Sequence, residues 1–128
     1  MITVLLVDDE SEALDAWQIV CESAGHRVHR AQNGQEALEF LRKQPVDVVV
    51  ADWRMPVMSG SLLCYHVRNE PALVNVVFIL VSGEPSPPAF IYYDGFLRKP
   101  VLPGDLLSTI ERLLDERRVN GPHKRSTG

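Results

Sequence analysis

The chain has 128 residues, 45% of them hydrophobic and 23% charged, with a formal net charge of -4. That is the length of one domain, with a core large enough to stand without staples. The acidic balance argues against nucleic acid as a direct partner, no apolar run approaches the roughly 18 residues of a membrane span, and the first residues enter a strand rather than a leader peptide, so a cytoplasmic domain is expected.

Short apolar runs alternate with stretches of helical period, the pattern of a parallel βαβ sheet. The first run is Ile2 to Val7, closed by Asp8 and Asp9. A helix is predicted over 11–24, with Ala13, Leu14, Trp17, Val20, Cys21 and Ala24 on one face, capped by Ser11 or Asp9 and stopped at Gly25. The second strand is read at 26–31. The second helix opens at Asn33-Gly34-Gln35-Glu36, a capping-box pattern with Asn33 in the Ser/Thr place, and Pro45 blocks it. The third strand is placed at 46–51 and ends against Asp52. A loop over 53–58 leads to a helix at about 59–69. The fourth strand, 76–81, ends at Ser82.

After Ser82 the pattern weakens, because Pro85, Pro87 and Pro88 lack backbone donors and resist a helix interior. One or two helical turns fit in 89–93 at most. The fifth strand, Gly95 to Arg98, ends at Lys99-Pro100. A last helix starts near Pro103, carries Leu106, Leu107, Ile110, Leu113 and Leu114 as its stripe, and ends near Arg118. Residues 1–118 thus read as one domain, and 119–128 as a polar tail or the start of a linker. Cys21 and Cys64 read as buried free thiols. His26, His29, His66 and His123 show no metal-ligand spacing.

Five strands with intervening helices predict an α/β, flavodoxin-like, three-layer doubly wound sheet of order 2-1-3-4-5. In that order the ends of strands one and three meet at the switch point. Asp8, Asp9 and Asp52 then share one crevice, with Ser82 and Lys99 arriving from the next strands. Three acids, a hydroxyl and an ammonium suit a divalent cation and a phosphoryl group. A lone Asp at a strand end is most often a turn or cap residue, but three clustered acids repel one another unless a cation is present.

The segments Val7-Asp8-Asp9-Glu10, Asp52-Trp53-Arg54-Met55-Pro56 with Gly60, Val81-Ser82-Gly83 and Phe96-Leu97-Arg98-Lys99-Pro100 resemble the receiver domain of two-component response regulators. The resemblance covers about residues 2–118 and rests on all four segments in order. It implies a receiver-like signalling switch rather than an enzyme, with phosphoryl transfer from the phosphohistidine of a sensor histidine kinase or phosphotransfer protein to Asp52. It also implies Mg²⁺ held by Asp9, Asp52 and the Arg54 carbonyl, with Asp8 acting mainly through water. Lys99 would pair with one phosphoryl oxygen, Ser82 would bond another, and the peptide before Pro100 would be cis. Phe96 stands open between a core aromatic and the family's switch aromatic. A downstream protein target or an output domain would read the state.

Two departures accompany the resemblance. Gly83 stands where the family usually has alanine. The stretch from Ser82 to Lys99 is shorter than the family norm by about five residues, more than one helical turn, so the fourth helix of the family should be stunted or absent. Two other classes compete. A metal-dependent phosphatase of the haloacid dehalogenase type also uses a strand-end Asp, but needs a second Asp two residues on, where this chain has Arg54. A flavodoxin-like cofactor binder needs a Ser/Thr/Gly-rich phosphate loop after strand one, where this chain has Asp8-Asp9-Glu10.

Overall fold

The computed structural model describes residues 2–84 and 92–120. In chain order the elements are β1 (Thr3–Val7), α1 (Ser11–Ser23), β2 (Arg27–Ala31), α2 (Gly34–Lys43), β3 (Val48–Asp52), α3 (Gly60–Asn69), β4 (Val77–Ser82), β5 (Gly95–Arg98) and α4 (Pro103–Asn120). The strands form one sheet, β2-β1-β3-β4-β5, and every pair is parallel. This is the predicted order.

Strand alternation sorts the core into two halves. Leu5, Val7, Val49, Ala51, Phe78 and Leu80 face α2 and α3. Val4, Leu6, Val48, Val50, Ile79 and Val81 face α1 and α4. The central strands are apolar at both parities because both faces are covered, as parallel sheets require. Cys64 belongs to the first half and Cys21 to the second; both are free thiols. Burial pushes their pKa values up to about 12 and about 11, so neither is a nucleophile at neutral pH.

Local signals account for most boundaries. Asn33 caps α2, its Oδ1 accepting from Glu36 N at 2.9 Å, while Glu36 Oε1 accepts from Gln32 N at 3.1 Å. Ser59 caps α3 by accepting from Leu62 N at 3.2 Å. Gly25 takes φ +88 just beyond α1, the left-handed turn that suits glycine. Three readings need correction. The N-cap of α1 is Glu10, not Ser11 or Asp9, and its side chain makes no capping bond. Ala24 follows the helix and is exposed, because α1 has already turned at its C-cap. Helix α4 runs to Asn120, since nothing in Val119-Asn120 breaks it.

Between β4 and β5, residues 83, 84 and 92–94 form no helix. The rest of the segment on which the stunted helix was predicted, 85–91, lies outside the described residues, as do residues 121–128 of the predicted tail. The structure thus carries four helices among the described residues, with α4 following β5 directly.

Candidate functional site

Parallel pairing brings the carboxyl ends of β1, β3, β4 and β5 to one edge. Val7 pairs with Ala51, Asp52 with Val81, and Ser82 with Arg98. Asp8 therefore follows its strand into the crevice beside Asp52, and Lys99 enters from β5. The Lys99-Pro100 peptide is cis, and Lys99 N donates to Ser82 O at 2.8 Å.

Lys99 Nζ lies 3.3 Å from Asp52 Oδ2, 3.5 Å from Asp8 Oδ2 and 4.0 Å from Glu10 Oε1. Asp8 and Asp52 are buried, while Asp9 and Glu10 are exposed at the rim. Asp8 Oδ1 accepts from Glu10 N at 2.9 Å, but Asp8 Oδ2 is buried and accepts no hydrogen bond. A carboxylate oxygen out of water without a donor is costly. Burial is the main cause that pushes the Asp8 carboxyl up to about 6, with the Glu10 N–H and the Lys99 charge opposing it and Asp52 and Asp9 adding to it. Asp52 is raised for the same first reason, against the pull of Lys99, with Asp9 and Glu10 adding repulsion. Partial burial would lower Lys99, but the charges of Asp52 and Asp8 outweigh it and hold the ammonium above its ordinary value.

Carboxylate oxygens of Asp8, Asp9 and Glu10 lie within 4.8 Å of one another. This donor set, with a buried oxygen that accepts no hydrogen bond, fits a hard divalent cation that takes oxygen ligands and keeps water. Of the ligands expected from sequence, Asp8 and Asp9 fall in this cluster, and Asp52 faces the same crevice through Lys99. Glu10 is the residue the sequence reading left without a role. Its only sequence signal is adjacency to Asp9.

The walls are equally local in origin. Trp53 N donates to Val81 O at 2.7 Å, carrying the β3–β4 ladder one residue past Asp52. Gly60 N donates to Trp53 O at 2.8 Å, and a Cβ on Gly60 would sit 2.3 Å from Asp52 O. Only glycine lets α3 start so close to the strand end. The Arg54 side chain leaves the crevice. Its Nε donates to Glu84 Oε1 at 3.0 Å, and its guanidinium lies 5.4 Å from the Trp53 ring centroid. Ser82 is buried, and its Oγ accepts from Glu84 N at 3.0 Å. Phe96 is half-buried, packed on the first core half and 6.1 Å from the Tyr93 ring.

Fold and site together define a doubly wound α/β protein with an acidic crevice, bridged by a lysine, at the switch point of its sheet. A family model of the response regulator receiver domain matches residues 4–111. Sensor kinase CckA of Brucella abortus is 35% identical over 119 residues, covering 89% of this chain and 13% of that protein. Response regulator GtcR of Aneurinibacillus migulanus is 28% identical over 115 residues, covering 88% of this chain and 47% of that protein. The solved structure of the chemotaxis response regulator CheY4 of Vibrio cholerae matches with a TM-score of 0.82 at 31% identity, covering 88% of this chain and 98% of that one.

The chain belongs to the response regulator receiver domain family. It spans less than half the length of the two curated relatives. These comparisons give no support to the phosphatase reading, and Arg54, bound to Glu84, stands where such an enzyme would need its general acid. No described helix is long and apolar enough to cross a membrane.

Proposed function

We propose that Asp52 accepts a phosphoryl group from the phosphohistidine of a sensor histidine kinase or phosphotransfer protein, in a Mg²⁺-dependent step. The observation that carries this reading is Lys99 Nζ, set between the buried carboxylates of Asp52 and Asp8. Asp52 is the nucleophile. A P–O bond forms at its carboxylate as the donor's P–N bond breaks and the electron pair leaves with the imidazole nitrogen. Asp8, Asp9 and Asp52, with the Arg54 carbonyl, would hold the cation, which when bound supplies the neutralising charge that lets a carboxylate approach a phosphoryl anion.

Lys99 holds a phosphoryl oxygen as a compact point charge. Ser82 has one hydroxyl proton to donate to another. That donation draws the end of β4 toward the crevice, and Phe96 on the paired strand follows. The domain thus works as a cytoplasmic switch between two populations, biased by contacts that only the phosphoryl group makes. Its output reaches a protein target or an attached domain, with 1–118 as the switch and 119–128 as tail or linker.

Incubation with acetyl phosphate and Mg²⁺, followed by intact mass measurement, tests the reading. One phosphoryl adduct is expected, absent in Asp52→Asn and absent in EDTA. Full labelling of Asp52→Asn would remove the assignment.

A further inference from the structure

We propose that Glu10 is a fourth carboxylate of the cation site, beside Asp8, Asp9 and Asp52, acting from the rim through water. This rests on the divalent-cation reading above and names a residue that reading does not use. Glu10 occupies the N-cap of α1 with extended backbone, φ -102 and ψ 106, yet its side chain makes no capping bond. Glutamate is not a favoured cap, and here its carboxylate has no helical duty. Instead its N–H closes a turn onto Asp8 Oδ1 at 2.9 Å, the local geometry by which an Asp folds the next two residues back on itself. That turn gathers one oxygen each of Asp8, Asp9 and Glu10 within 4.8 Å.

A second observation, on the buried member of the group, points to a ligand. Asp8 is 1% exposed, and its Oδ2 accepts no hydrogen bond. Its nearest cation is Lys99 Nζ at 3.5 Å; a hydrated cation at the mouth gives that oxygen a closer partner, and its outer waters reach the rim. Lys99 Nζ sits 4.0 Å from Glu10 Oε1 as well as against Asp8 and Asp52, so one ammonium is shared by all three acids. The Glu10 side chain is 71% exposed, which suits a water-mediated contact rather than a direct one.

The test uses the full chain, stripped of metal, and Mn²⁺ alone, which accepts the same oxygen ligands. Free Mn²⁺ is followed by electron paramagnetic resonance at physiological ionic strength. Glu10→Gln should weaken binding about tenfold, the lower range for loss of an outer-shell partner. Its thermal midpoint in EDTA should not fall, because no cap is lost. Glu12→Gln removes an exposed charge of the same helix turn and should leave the affinity alone. Unchanged affinity in Glu10→Gln overturns the role of Glu10 while leaving the cation reading intact. Equal weakening by Glu10→Gln and Glu12→Gln overturns it too, since long-range charge would then suffice. Failure of the unsubstituted chain to bind Mn²⁺ overturns both readings.

Discussion

Val57 carries a backbone cost in the loop before α3. Its φ is +70, Met58 N donates to Pro56 O at 2.7 Å across it, and its side chain is 79% exposed. This is a γ-turn centred on a β-branched residue, where an L side chain crowds its own backbone. Val57→Asn should raise stability by roughly 1 kcal/mol. A higher urea midpoint at unchanged slope would show it, and a lower midpoint would place the strain elsewhere. Sequence reading could not find this turn, because Pro56-Val57-Met58 lacks the glycine or asparagine that marks positive φ. It did place Asp8, Asp9, Asp52, Ser82 and Lys99 at one sheet edge, since they end apolar runs that pair in parallel. Glu10 escaped because its place depends on a turn rather than on a strand.

At the scale of elements, α3 is fixed at both ends. Its start rests on the Asp52 carbonyl through Gly60. Gly60→Ala should displace that strand end, cost roughly 1–3 kcal/mol by overpacking, and slow acetyl phosphate labelling. Near its other end Arg68 is buried, with its side chain 1% exposed. The guanidinium donates to the carbonyls of Tyr92 at 2.7 Å, Val74 at 3.0 Å and Val76 at 2.7 Å, and to Asp94 Oδ2 at 2.6 Å. Asp94 in turn accepts from Phe78 N and from Arg117 of α4. One side chain thereby joins α3, the entry to β4 and the entry to β5. Arg68→Met should cost about 3–5 kcal/mol, because three carbonyls and a carboxylate lose a buried donor together. Chemical denaturation measures it; a loss under 1 kcal/mol would mean water replaces the guanidinium. The strands and helices were legible from apolar period and caps. Arg68 was not, since it reads as an ordinary basic residue in a last helical turn and its partner lies far along the chain.

For the molecule as a whole, the site works against the fold when no cation is bound. The folded Asp8 titrates at about 6 against an ordinary 3.8. Between those values the folded chain holds a proton that the unfolded chain has released. This contribution to stability is therefore fully present below about 3.8 and is lost as pH rises through about 6. Asp52 is shifted in the same direction. The metal-free domain should be more stable at pH 5 than at pH 7.5, by roughly 1 kcal/mol from Asp8 alone. Thermal melts in EDTA at the two pH values check the sign. Saturating Mg²⁺ should raise the midpoint at pH 7.5 and narrow the gap.

The clamp at Asp94 gives β5 the mechanics of a cantilever. The root is held on several sides by Arg68, Arg117 and the Phe78 amide. The tip is Lys99, about 16 Å further along the strand, and it alone reaches the charged crevice. A load applied at the tip bends such a beam most at its outer end and leaves the root still. Phe96 lies in mid-span, paired with Leu80 of β4. Amide exchange should therefore respond to beryllofluoride at Lys99, whose N–H holds the Ser82 carbonyl, and stay unchanged at Asp94, whose N–H holds that of Phe78. Equal responses at the two amides would mean the strand slides as a rigid rod.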